Sequence, residues 1–405
     1  MMNLYSGTPY WMVKDALWNY SRPLCEDTHA QVVVIGGGIT GALVAHELVG
    51  AGIDCCVVDK RTPGTGSSCA STALLQYEID VPLCRMARLM PEQDAVAAYR
   101  ACLEAIDDLE RLFRETGVDA GFRRVPSLFY ASDRAGVRLL REEYAMRRRH
   151  GLPTEYACRE RVAEAVGIDV RAALMNDVSA QMDAYKAADG LLRHDLANGL
   201  RLFTHTEIVR WKRRAGGYEL RTRTGRRIAC EQVVVAAGFE AGPFLPKRLM
   251  QLTSTFAIAS QPVEEGLLWP RRCLIWETRE PYLYIRTDDN GRIIVGGEDV
   301  AADSALLRRL LLPQKARVLE RKFRRLFPRI PFAAEMAWAG TFSSTRDGLP
   351  LIGAMRRDPH LSFALGYGGN GITFSVIAAQ ILSRTLRGET DPRAHIFSPE
   401  RPSLR

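Results

Sequence analysis

The stretch Gln31-Val-Val-Val-Ile-Gly-Gly-Gly-Ile-Thr-Gly41 constrains the fold more than any other part of the chain. Val32 to Ile35 form an uninterrupted apolar run, the pattern of a strand buried on both faces. Gly36, Gly38 and Gly41 give G-x-G-x-x-G, and Leu43, Val44 and Leu48 continue with the spacing of a helix packed on one side. The segment therefore reads as strand, tight turn and helix. Gly36 permits the turn, Gly38 lets a pyrophosphate approach the backbone, and Gly41 lets helix and strand pack closely. The unpaired N–H groups and positive dipole end of the helix, from Ile39 and Thr40 onward, then face the phosphates. The next apolar run, Cys55 to Val58, ends in Asp59, 23 positions after Gly36, where a ribose-binding carboxylate belongs.

With 405 residues the chain can hold two domains, each with a sizeable core. No apolar stretch reaches the length of a membrane span, and the first 28 residues lack the basic-then-apolar layout of a secretory signal. Trp11, Trp18 and Tyr20 indicate a segment that packs onto the body ahead of the first strand. The nine cysteines show no C-x-x-C pair, so reduced thiols in a cytoplasmic protein are expected, and no metal site. The net charge of +8 is modest, and its densest runs, Arg147-Arg148-Arg149-His150 and Arg321-Lys322-Phe323-Arg324-Arg325, read as solvated helix faces rather than a nucleic-acid surface.

After Asp59 the stretch from Lys60 to Leu75 is rich in glycine and small hydroxyl residues and reads as a loop entering a helix near Ser71. Such residues are needed where backbone lies against a flat ring or a phosphate. Residues 82–117 are helical by pattern, 125–131 a strand, 138–149 a second, basic helix, and 182–199 another helix containing His194, which is not expected to be catalytic. A strand over 202–210 and a hairpin across Thr224-Gly225 follow, and then the buried run Gln232 to Gly238, which repeats the logic of the first strand. From 251 the pattern becomes that of an antiparallel sheet, with strands at 274–277, 282–286 and 293–295 and a hairpin at Asp289-Asn290-Gly291. A helix over 305–327 and strands ending near Gly353 and Leu365 lead to Gly366-Tyr-Gly-Gly-Asn-Gly-Ile-Thr373. This second glycine-rich loop feeds a helix starting at Ile372. Two such loops in one chain suit a long cofactor gripped at both ends.

These motifs together resemble the D-amino-acid-oxidase-like, or glycine/sarcosine-oxidase-like, family of FAD-dependent oxidoreductases, over about 31–386. The motifs that carry the resemblance are the opening glycines, Asp59-Lys60, Gly66 to Thr72, Val235 to Gly238, Asp347 to Gly353 and Gly366 to Gly371. The resemblance implies an α/β fold: a Rossmann-type FAD-binding domain interleaved with an α+β substrate domain carrying a mostly antiparallel sheet. The expected FAD-binding segments are 1–85 (with an N-terminal extension), 155–250 and 333–390; the substrate domain takes 86–154 and 251–332, and 391–405 is a tail. Asp59 should bind the adenosine ribose with Lys60 beside it, and Ile208 should hold adenine through its backbone. Ser67, Ser68, Ala70, Ser71, Thr72 and Ala73 should run along the pyrophosphate toward the flavin, and Ala237 and Gly238 should allow close backbone approach. Gly369, Asn370, Gly371, Ile372 and Thr373 should present N–H groups to the pyrimidine end of the flavin, where negative charge gathers on reduction.

Two positions depart from the family pattern. The flavin-linking cysteine of covalent sarcosine oxidases corresponds by spacing to Gly340, so FAD should be non-covalent. The carboxylate-binding arginine of glycine-oxidase relatives corresponds to Phe342, with Arg286 as its candidate replacement. The expected substrate is a small secondary amine, an N-substituted amino acid or a polyamine derivative. It loses hydride from the carbon next to nitrogen to flavin N5, and the resulting imine is hydrolysed. Tyr282, Tyr284, Arg286, Phe342 and Tyr367 are the pocket candidates, and no acid–base residue is assigned. The electron acceptor is oxygen or a redox partner. The alternatives are a 2-hydroxy-acid dehydrogenase of the same fold, and a flavoprotein acting on modified tRNA or within a larger complex.

Overall fold

Two sheets set the architecture of the computed structural model, which describes residues 4–16, 21–245, 249–365 and 368–404. In the first, the parallel strands Arg201–Phe203, Cys55–Val58, Thr28–Ile35 and Arg227–Val235 lie in that order, and Arg227–Val235 also pairs in parallel with Asp358–Leu365. The antiparallel strands Gly217–Thr222 and Ile208–Arg214 extend one edge, and Leu351–Met355 pairs with Asp358–Leu365. Parallel strands need covering on both faces, which accounts for the near-continuous Val and Cys runs. Helices Ile39–Gly50, Glu92–Thr116, Ala184–Leu196 and Gly371–Leu386 cover one face and share its core with Val32, Val34, Cys55 and Val57.

The second sheet has nine strands in the order Tyr5–Gly7, Ala334–Ser344, Gln251–Ser260, Ile293–Val300, Tyr284–Thr287, Leu274–Glu277, Ser127–Tyr130, Ala172–Asn176, Glu155–Cys158. Every neighbouring pair is antiparallel except Leu274–Glu277 with Ser127–Tyr130. Alternation divides its side chains: Phe256, Ile258, Ile293 and Val295 meet Leu319 and Phe323 of helix Ala305–Leu326, while Ala257, Ala259, Ile294 and Trp338 pack on the other face with Trp11, Cys69 and Tyr185. The mixed α/β class agrees with the sequence reading.

Several boundaries move. Strands Glu155–Cys158, Ala172–Asn176, Ala334–Ser344 and Tyr5–Gly7 belong to the nine-stranded sheet, so sheet membership departs from the segment limits at 154/155 and 332/333, and the N-terminal extension joins the substrate-side sheet. Hydrophobic periodicity carries no record of which sheet a strand joins. Pro91 separates helix Leu83–Met86 from Glu92–Thr116 where the pattern reads one helix. No helix begins near Ser71; a single turn, Ser68–Ala70, precedes the short strand Leu74–Leu75. The strand expected over 202–210 is two strands broken at 204–207. Helix Arg134–Arg149 starts earlier than expected because the Asp133 carboxylate caps it, accepting from Gly136 N at 2.8 Å. The C-terminal segment is anchored: Phe397 is buried, and Arg401 makes a two-pronged pair of 2.7 Å bonds to buried Asp347. Trp11 packs as expected, 1% exposed, whereas Trp18 and Tyr20 lie outside the described residues.

All nine cysteines are unpaired, and only Cys25 and Cys158 are exposed. Burial pushes the Cys55 and Cys56 thiols up to about 12. A thiol reagent should therefore label two cysteines quickly in the native protein, and the remainder only with denaturant. Faster labelling of a third site would show an opening that this packing does not predict.

Candidate active site

A continuous cavity runs between the two sheets, from the C-terminal ends of the parallel strands to the inner face of the nine-stranded sheet. Ligands in open α/β sheets sit at that strand edge. At one end, Asp59 closes the turn after strand Cys55–Val58. Its two carboxylate oxygens accept from Gly37 N and Arg61 N, both at 2.7 Å, and burial raises its pKa. Lys60 and Arg61 both bind Glu240, at 2.6 and 2.7 Å, and Ile208, Trp211 and Phe244 complete a flat apolar wall in which the last two rings stack at 4.2 Å.

In the middle, Gly36 turns with φ +112°, a conformation that favours glycine. Helix Ile39–Gly50 begins without a side-chain cap, and of its first N–H groups Ile39 N meets Ser68 Oγ at 2.9 Å. Helix Gly371–Leu386 also lacks a side-chain cap, because the Asn370 amide donates away from it, to Gln76 O and Glu78 O at 2.9 and 2.7 Å. Thr40 and Ser375 hydrogen-bond at 2.8 Å, so the two helix starts, far apart in sequence, are held side by side. Their uncapped N–H groups form a ready anion cradle.

Most of the residues expected to hold the cofactor line this cavity: Gly36, Gly38, Ile39, Thr40, Asp59, Lys60, Ser67, Ser68, Ala70 to Ala73, Ile208, Ala237, Gly238 and Gly369 to Ile372. Gly41 and Thr373 do not. Gly41 packs against the Gly36 carbonyl, and the Thr373 hydroxyl donates to Asn370 O at 3.0 Å. The Gly369 N–H is already taken by Asp80 Oδ2 at 2.6 Å, which leaves the later N–H groups of that loop to serve a ligand. Uncapped N–H donors, a carboxylate beyond the second strand and a flat apolar wall are the donor set that a dinucleotide such as FAD needs.

The far end is aromatic and acidic. Trp276, Tyr282, Tyr284 and Phe342 line it, with Thr255, Asp80, Glu78 and Asp299. Tyr282 donates to Asp80 Oδ1 at 3.0 Å, and its ring lies 5.9 Å from Tyr284 and 6.3 Å from Trp276. Arg286 is a correction. It does not reach the cavity wall; its Nη1 donates to Thr72 O, Ala73 O and Met182 O at 2.8 to 3.0 Å, and its guanidinium lies over Trp11. Burial lowers its pKa to about 10, opposed by Asp288 and Asp183. Its work is to pin the loop whose Thr72 and Ala73 line the cavity. Tyr367 lies outside the described residues. Gly340 lines the wall, and no cysteine or histidine does so among the described residues.

Sequence reasoning missed Asp80, Glu78, Trp276, Asp299 and the Arg61–Glu240 pair. Only Asp299 carried a signal: Gly296-Gly297 inside a strand marks a bulge. His194 and His360 stay away from the cavity. His194 lies near His46 and Asp195, with ligand atoms of the three within 4.8 Å, and His46 Nδ1 bonds Asp195 at 2.9 Å. His360 Nδ1 meets Glu231 O at 3.0 Å.

The comparisons with known proteins agree with this geometry. The chain is 25% identical to a glycine oxidase of Geobacillus kaustophilus, over 87% of this chain and 91% of that one. It is 24% identical to gamma-glutamylputrescine oxidoreductase of Escherichia coli, over 91% and 86%. The solved structure of L-proline dehydrogenase from P. horikoshii superimposes with a TM-score of 0.77 at 21% identity, covering 93% of this chain and 98% of that one. The DAO family model, described as FAD dependent oxidoreductase, matches residues 31–385. With that match spanning both glycine-rich loops and the sheet between them, the chain belongs to the DAO family of FAD-dependent oxidoreductases.

Proposed function

We propose that this enzyme oxidises an amine at the carbon next to nitrogen. When bound, FAD supplies the two-electron acceptor for the departing hydride, and water hydrolyses the imine product. The observation that carries the reading is the charge of the far end. Among the described residues lining the cavity, the only cationic side chains are Lys60 and Arg61, both held by Glu240 at the opposite end. A 2-hydroxy acid or a simple α-amino acid would bring its carboxylate against Asp80 and Asp299, where among the described residues no cationic side chain lines the wall to receive it and no imidazole is placed to take a hydroxyl proton. An amine meets no such penalty. The aromatic walls exclude water from the place where hydride leaves.

The helix starts at Gly38 and Asn370 would hold the cofactor non-covalently, with Asp59 and Lys60 at the adenosine end. Nine unpaired thiols suit a reducing compartment, so we place the protein in the cytoplasm. Among the described residues no helix is long and apolar enough to cross a membrane. The relatives support the reading, since one is a glycine oxidase and another a gamma-glutamylputrescine oxidoreductase. Anaerobic mixing of the flavin-loaded protein with amines, N-methyl amino acids and 2-hydroxy acids should bleach the flavin band with amines. Bleaching by hydroxy acids alone would overturn the assignment. Admitting oxygen to the bleached enzyme then separates an oxidase from a dehydrogenase.

A further inference from the structure

Asp299 owes its position to a bulge. In strand Ile293–Val300, Ile293 and Val295 face helix Ala305–Leu326, and Ile294 packs on the opposite face with Trp11 and Tyr185. Continued alternation would send Asp299 to the helix side. Instead, the pairing with Gln251–Ser260 slips between Ser254↔Val300 and Phe256↔Gly297, and Glu298 adopts φ +61°. The frame shifts by one. Glu298 goes to the helix side, where it binds Lys315 and Lys322 at 3.0 and 2.7 Å, Val300 packs there too, and Asp299 enters the cavity wall. Bulges beside active sites re-aim side chains in this way, and a non-glycine residue with positive φ costs about 1 kcal/mol or more.

The strained backbone thus delivers a carboxylate to a wall that already holds two. Glu78 has a side chain only 1% exposed; its Oε1 is held by Arg147 and Asn176, and its Oε2 has no hydrogen-bond partner among the described residues, while Asp299 Oδ1 likewise has none. Buried carboxylate oxygens without partners are costly unless something binds them. Trp276, Tyr282, Tyr284 and Phe342 present ring surfaces beside these acids, the setting in which a desolvated organic cation is bound best.

We propose that the far end of the cavity is a cation subsite, and that the preferred substrates are amines carrying a second positive group, of the diamine or polyamine class, held by Asp299 and Asp80 between aromatic walls. The inference rests on the amine reading above. The charge on the second nitrogen is what the acids hold, leaving the reacting nitrogen free to be neutral. Burial pushes Asp299 up to about 6, opposed by the Thr255 hydroxyl, aided by Asp80 and Glu298, and opposed again by Lys315. The group is therefore mostly ionised at neutral pH and loses its charge as pH falls through about 6. Of the other titratable groups facing it, Asp80 is also raised by burial, opposed by its bonds from Gly369 N and Tyr282, so it loses charge in the same direction, while Tyr282 and Tyr284 stay protonated throughout that range because burial raises both.

The test uses the flavin-loaded enzyme and a bis-trimethylammonium alkane, which has no nitrogen lone pair and cannot be oxidised. Calorimetric titration should show binding that weakens at least tenfold from pH 7.5 to 5 and at least tenfold in Asp299→Asn. With oxidisable substrates, Asp299→Asn should raise KM for a diamine at least tenfold with kcat little changed, while an N-methylalkylamine with no second charge shifts less than threefold. Preference for carboxylated amines over diamines would overturn the subsite, as would an equal loss for all substrates together with a shifted flavin spectrum, which would assign Asp299 to the cofactor. Should no amine bleach the flavin while the bis-quaternary probe binds with this pH dependence, the amine reading fails and the cation subsite stands. If Asp299→Asn does not fold, the pH series on the unaltered protein decides alone.

Discussion

Gly41→Val should give a protein that purifies without yellow colour and takes up added FAD at least 100-fold more weakly. A Cβ built on Gly41 would lie 1.8 Å from the Gly36 carbonyl oxygen and 2.9 Å from its carbon. Both contacts are backbone, so no side chain can swing aside. The helix start must retreat by more than an ångström from the end of strand Thr28–Ile35. That retreat moves the uncapped N–H groups of Ile39–Gly50 away from the phosphate position and pulls on the Thr40–Ser375 bond that ties this helix to Gly371–Leu386. Overpacking of this kind costs about 1–3 kcal/mol in stability, and displaced donors add to the loss in affinity, where about 1.4 kcal/mol is each factor of ten. Gly50→Ala is the control. It sits at the other end of the same helix with nothing within 4 Å of its Cβ, and should leave flavin content unchanged. The flavin-to-protein absorbance ratio after purification and after reconstitution measures both. Normal flavin content in Gly41→Val would refute the close-packing role.

That prediction is written almost entirely in local sequence, which shows what was legible. Strand, turn and helix at 31–50 could be read because hydrophobic period, glycine spacing and the terminal acid all fall within one βαβ unit. The second loop was legible for the same reason, and most cofactor-lining residues followed from the two. Elements that depend on a partner distant in the chain were not. Arg286 looked like a pocket residue because it alternates with Tyr282 and Tyr284, but its guanidinium is occupied by carbonyls from Thr72, Ala73 and Met182, contacts that no local pattern encodes. Strand Ala334–Ser344 reads with its sequence neighbours, whereas its register with Gln251–Ser260 puts it in the nine-stranded sheet. Asp299 was hidden because a one-residue bulge reverses the face that alternation assigns. The basic run at 147–150 read as solvated; Arg148 and Arg149 are exposed, but Arg147 is 1% exposed, since its helix turns that position toward two buried acids.

Arg147→Ala should therefore destabilise the protein by about 3–5 kcal/mol, as expected when one member of a buried ion cluster is removed. Arg147 Nε donates to Glu143 at 2.8 Å and Nη1 to Glu78 at 3.1 Å, and all three side chains are at most 1% exposed. Glu143 in turn accepts from Leu83 N and Cys84 N at 3.0 and 2.9 Å, holding the start of helix Leu83–Met86, and Asn176 donates to Glu78 at 2.6 Å. The guanidinium also lies 5.4 and 5.9 Å from the rings of Tyr77 and Tyr99. Removing it leaves two carboxylates in a low-dielectric interior with no counter-charge, one of them at the cavity wall. With an unfolding entropy of about 2.1 cal/mol/K per residue, this corresponds to a fall of about 4–6 °C in the melting midpoint. Arg147→Met keeps most of the volume and should be nearly as damaging, because the uncompensated charge, not the lost packing, dominates. Adding Glu143→Gln and Glu78→Gln to Arg147→Met should recover part of the loss, since neutral amides can stay buried more cheaply than lone carboxylates. Melting of the three variants beside the unaltered protein, followed by the flavin released on unfolding, separates the two causes: if the triple variant is no more stable than Arg147→Met, packing holds this corner of the molecule and the ion cluster does not.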